Sequence, residues 1–189
     1  IGAVALVEAS VTFTDVRLEE PAATSLASVW SALSPIQVAY AHPGHDYPGD
    51  VAGELLGTFT VDLLAEDQLL GVASCYEGGF ATGRVSVGGT VAVLAGVHTD
   101  DQGVERPFRF EVPADEDIVG IPFDVAMSAD RPPAEVDLRF DAGRALQFVD
   151  WAAQDTDRDG TLTVDDDTYG NTALFGVVAT PTWSLTLVP

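Results

Sequence analysis

Turn residues recur along this chain at intervals that leave room only for short extended runs, and this limits the fold more than any other feature. Val4–Glu8 and Ser10–Glu19 carry β-branched residues in partial alternation. Leu55–Ala65 resumes the pattern, with Phe59, Val61 and Leu63 on one face. Leu69–Tyr76, Phe80–Val87 and Thr90–Val97 follow, with Gly88-Gly89 between the last two as a hairpin signal. Arg106–Val112, Gly120–Met127, Glu135–Phe140 and Thr182–Val188 supply further strands, divided by Pro113–Asp117 and Ser128–Pro133. Short alternating runs at a spacing of roughly 8–12 residues, punctuated by glycine and proline, describe an antiparallel β-sandwich or barrel. Eight to ten strands are expected.

The pattern changes near the C-terminus. Asp141 can cap a helix that runs to Gln154, with Leu146, Val149 and Ala153 at helical spacing. Directly after it comes Asp155-Thr-Asp-Arg-Asp-Gly-Thr-Leu-Thr-Val-Asp-Asp166. Three carboxylates on alternate residues, then a glycine, suit a hard cation, because calcium takes six to eight oxygens at flexible geometry. Gly160 allows the sharp turn, the Thr161 carbonyl can serve as a ligand, and Leu162 can anchor the loop in a core. A short helical turn or a strand is expected from Asn171 through Ala179. The whole chain, residues 1–189, reads as a single domain with a helix-and-loop insertion at about 141–170.

Residues 155–166 resemble the calcium loop of EF-hands and of dockerin-type modules. That resemblance implies Asp155, Asp157, Asp159, Thr161, Thr163 and Asp166 as the ligand set, Thr163 acting directly or through water. The last position is Asp where EF-hands usually carry Glu, and no clear exiting helix follows. The resemblance therefore implies a static structural site and not a switch that opens. Thr60–Leu64, Leu70-Gly71, Glu77–Phe80 and Val136–Asp141 are similar to prealbumin-like domains of bacterial secreted lipoproteins. The fold implied is all-β, a Greek-key sandwich of prealbumin or immunoglobulin type with one short helix before the calcium-type loop.

Composition narrows the function. The chain is 189 residues long, 47% hydrophobic and 20% charged, which suits a globular domain with a real core. Thirty acidic residues face eight basic ones, all arginine, for a formal charge of −22. Nucleic acid and anionic membranes are poor partners for such a surface. No apolar run approaches the ~18–20 residues of a membrane helix. Arginine without lysine, among abundant Ala, Val and Gly, is expected of a GC-rich bacterial genome. The start Ile1–Ala9 reads as the trimmed beginning of a mature chain.

Other chemistry is sparse. His42 and His45 flank a Pro-Gly turn, and with His98 from another loop they can form a zinc or copper site. Cys75, the single cysteine, and Met127, the single methionine, read as buried apolar residues. The acids of Asp115–Asp117 read as a solvated turn. No nucleophile elbow, phosphate loop or dinucleotide fingerprint occurs. The expectation is a non-enzymatic, calcium-stabilised binding or structural protein, exported from a bacterium. Its location would be periplasmic, extracellular or on the outer membrane as a lipoprotein. Its partners would be metal ions, another surface protein or copies of itself. A copper or zinc carrier or sensor and a self-assembling surface or filament subunit are the alternatives.

Overall fold

A computed structural model describes residues 2–21, 51–128, 135–153, 155, 157–163 and 172–188. The protein is all-β and antiparallel, but its strands are far longer than the turn spacing suggests. β1 spans Ala3–Glu19, β2 Val51–Asp62, β3 Ser74–Cys75, β4 Gly78–Thr99 and β5 Glu105–Met127. β6 spans Glu135–Phe140, β7 Leu162–Thr163 and β8 Trp183–Val188. One sheet has the order β3-β2-β1-β4-β5-β7, and β6 pairs with β8 in a second, two-stranded sheet. Among the described residues only the β5–β7 pairing is parallel.

Length without misalignment is achieved by bulges. Each long strand keeps one face inward only by inserting a residue where the alternation would drift. In β5 the buried residues are Phe108, Phe110 and Val112, then Ile118, and then Ile121 and Phe123. Their parity changes between Ile118 and Ile121, where the pairing with β4 skips a residue. Gly120 sits in that gap with φ +74°, a conformation that side chains resist. In β4, Gly88 and Gly89 lie opposite Asp115 and Ala114. The glycine pair expected to close a hairpin is therefore part of a continuous strand. Asp115–Asp117 likewise lies within β5, exposed along the sheet. The real hairpin is the turn after Thr99, where Asp100 accepts hydrogen bonds from the amides of Gln102 and Val104.

The β6–β8 ribbon packs on the inner face of the large sheet. Trp183 is 2% exposed and meets Phe13 and Phe140 edge-on. Two short helices close the other part of that face. α1 is Ala142–Leu146 and α2 is Thr172–Val178. The Trp183 indole donates to the Val177 carbonyl at 2.8 Å, tying α2 to the ribbon. α2 lies where the sequence allowed either a short helical turn or a strand, so the described residues hold a second helix beside the one expected at Asp141. Asp141 caps α1 as foreseen, accepting from the Arg144 amide at 3.0 Å. α1 ends at Leu146, earlier than expected, where the bonding tightens to three-residue turns, the Gln147 amide donating to the Arg144 carbonyl and the Val149 amide to the Leu146 carbonyl. Trp151 then swings beneath the sheet to contact Phe108 and Phe110.

Candidate metal centre

The acidic loop is held at both ends by β5. On its entering side, the Arg106 guanidinium donates to the carbonyls of Trp151 and Ala153 at 3.1 and 3.3 Å. On its leaving side, Leu162 and Thr163 pair with Phe108 and Arg109. Leu162 is 5% exposed and belongs to the core, so the loop is pinned where its apolar residue predicts.

Between these anchors the backbone folds around its own carboxylates. Asp155 accepts from the amides of Arg158 at 2.6 Å and Gly160 at 2.8 Å. Asp157 accepts from Asp159 at 3.1 Å, and Asp159 from Thr161 at 2.7 Å. Arg158 has φ +63° and Gly160 φ +89°, so the chain reverses sharply here. The result brings one oxygen each from Asp155, Asp157 and Asp159 within 4.8 Å of one another. Oxygens bound to one calcium at about 2.3–2.6 Å lie at most about 5 Å apart, so the three fit a single ion. Each carboxylate keeps lone pairs beyond those its amide partners use.

The electrostatics agree with the geometry. The Asp159 amide favours the Asp157 carboxylate, but other effects outweigh it. Hydrogen bonding with Asp155, desolvation and the charges of Asp159 and Asp155 hold the Asp157 carboxyl above its usual range. A cation placed among the three would remove that repulsion. A cleft of about 430 Å³ opens beside the loop, lined by Arg106, Pro107, Ala153, Asp155 and Leu162 among others.

The remaining expected ligands are distributed differently. Thr161 and Thr163 are half-buried on the leaving side of the loop. Asp166 lies outside the described residues, as do His42 and His45. His98 is not on a loop. It is the penultimate residue of β4, 5% exposed, and stacks on Trp151 with 4.3 Å between ring centroids. Among the described residues its Nδ1 has no hydrogen-bond partner. Arg106 and Trp151 are the residues that spacing alone did not single out. Nothing in an alternating strand marks which arginine will reach across to another segment's carbonyls.

No family model matches the chain, and no curated protein or solved structure matches it either.

Proposed function

We propose that this is a non-enzymatic, calcium-stabilised binding or structural protein that a bacterium exports. The observation carrying this reading is the convergence of the Asp155, Asp157 and Asp159 carboxylates on one ion-sized space. Calcium there neutralises three charges that otherwise repel. The resemblance to EF-hand and dockerin-type loops adds the Thr161 carbonyl, Thr163 and Asp166 to the ligand set. Because the loop's flanks are fixed to β5 by Arg106 and by Leu162, the ion acts as a clasp between α1 and the last part of the chain. An acidic surface with no lysine supports an exported location, in which free calcium is plentiful, and a partner that is neither nucleic acid nor anionic lipid. Among the described residues no helix is long and apolar enough to cross a membrane. The copper or zinc reading through His42, His45 and His98 has less support, since His98 is buried and committed to a stack with Trp151.

The test is thermal unfolding in calcium and in chelator at matched ionic strength. Binding at a hundredfold excess over Kd stabilises by about 2.7 kcal/mol. For a chain of this size that raises Tm by roughly 5–10 °C. Coincident melting curves would overturn the proposal.

A further inference from the structure

The cleft beside the acidic loop holds about 430 Å³. Small-molecule sites run from about 300 to 1,000 Å³. Its charged wall groups are Arg106 and Asp155, and Pro107, Ala152, Ala153 and Leu162 line it with apolar side chains. The two charged groups differ in what they already hold. Asp155 accepts an amide on each oxygen, from Arg158 and from Gly160, so it is turned to its own loop. Arg106 holds the Trp151 and Ala153 carbonyls through Nη1 alone. Among the described residues its Nε and Nη2 make no hydrogen bond, and no carboxylate forms an ion pair with it. That stands out in a chain with 30 acidic residues and 8 basic ones. Arg17, Arg84, Arg109, Arg139 and Arg144 each have a carboxylate within 3.7 Å. We propose that the cleft binds a small monocarboxylate with an apolar body, its carboxylate seated on the free edge of Arg106.

The guanidinium argues for that class. Nε and Nη2 present two parallel N–H bonds, which match the two oxygens of a carboxylate. The hold of Nη1 on two carbonyls fixes the plane of this fork in advance, so little side-chain freedom is lost on binding. The walls are equally settled. Ala153 and Leu162 are each 5% exposed and belong to the core, and Leu162 is paired to β5. They can cover an apolar body without rearranging. Asp100, in the turn that leads to β5, does not compete for Arg106, because it holds the amides of Gln102 and Val104. The formal charge of −22 opposes a polyanion, whereas one carboxylate on an uncharged body meets the least of that repulsion. Since Asp155 is turned to its loop, an added ammonium on the ligand gains nothing. The site stands on Arg106 and the apolar walls and does not require calcium in the loop.

The experiment is a fluorine NMR titration of 4-fluorobenzoate with the intact protein. Calcium is first removed, so that the outcome is independent of whether the loop binds calcium. Saturable broadening of the probe line is expected, with affinity roughly tenfold above that of 4-fluorobenzyl alcohol, which keeps the ring and lacks the charge. This comparison needs no variant. Arg106→Gln should weaken 4-fluorobenzoate by a similar factor. Because Arg106 also holds the loop's entry, a second variant leaves it in place: Ala152→Phe fills the cleft from an exposed position and should weaken the probe at least as much. Equal affinity for the acid and the alcohol, tighter binding of 4-fluorophenylalanine than of 4-fluorobenzoate, or undiminished binding in either variant would each overturn the site.

Discussion

Asp157 and Glu19 are both carboxyls held above their usual range, for different reasons and with different consequences. At Asp157 the shift survives the favourable Asp159 amide bond because Asp155 and Asp159 crowd it. A carboxyl raised in the folded state contributes stability that is present below the unfolded value and lost as pH rises through the folded one. Without a cation the loop is therefore least favourable near neutral pH. Asp157→Asn should raise the melting temperature in chelator at pH 7 and shrink the gain from calcium, a crossed pattern readable in two thermal scans. Glu19 is 1% exposed, and burial is the main cause of its shift. Arg84 opposes that shift, as do Thr82 and Arg17, while Asp117 adds to it. The Arg84 Nε lies 3.0 Å from a Glu19 oxygen, yet among the described residues neither atom makes a well-angled hydrogen bond. The pair is held by charge alone. Arg84 also stands directly across from Arg17, so Glu19, Asp15 and Asp117 separate two like charges. Since the folded value is raised, wild type should gain on Glu19→Gln as pH falls through the carboxylate range. Melting curves of both proteins between pH 7 and about 4 check the sign. A gap that moves the other way would contradict it.

Among the elements, the long strands show how one sequence signal serves two structures. A glycine free to adopt positive φ ends a hairpin and also makes a bulge. Gly88-Gly89 and Gly120 satisfy either use locally. Which use occurs depends on whether a partner strand continues alongside, and β4 and β5 continue past each other from Gly78 to Thr99. Pro113 also reads as a break, but it pairs opposite Thr90 within β5. β7 borders β5 only at Phe108 and Arg109, so among the described residues the outer side of β5 at Pro113 is an edge, where proline is tolerated. At Gly120 a Cβ would meet nothing within 4 Å, so the cost of Gly120→Ala is backbone strain alone. It should be about 1–2 kcal/mol in urea unfolding. A Cβ on Gly88 would meet only an Asp115 oxygen at 3.7 Å, ordinary contact, so Gly88→Ala should stay within about 0.5 kcal/mol. Equal losses at the two positions would contradict the bulge assignment.

For the molecule as a whole, a formal charge of −22 works against compactness. Added sodium chloride should raise the chelator-treated melting temperature, since the Debye length falls from about 10 Å at 0.1 M to about 3 Å at 1 M. Calcium should add to that gain at matched ionic strength, which separates screening from binding; salt that lowers Tm would contradict the repulsion. Much of the fold was legible because it rests on local rules. Alternation marked Ser10–Glu19, Phe80–Val87 and Arg106–Val112 as extended, Asp141 marked the start of α1, and the aspartates with Gly160 marked a turn able to gather three carboxylates. These follow from residue type and spacing, which act over a few positions. Other features needed the folded chain: strands of 17, 22 and 23 residues, the choice of helix over strand at Thr172–Val178, the burial of His98 under Trp151, and Arg106 gripping the loop's entry. So did the meeting of Cys75 with Met127. Each depends on residues distant in sequence finding one another, and pairing across such distances is set by register and packing. Composition and periodicity determined that this chain is an acidic β-protein with an aspartate-rich turn, whereas only tertiary structure decided where its strands end and which side chains meet.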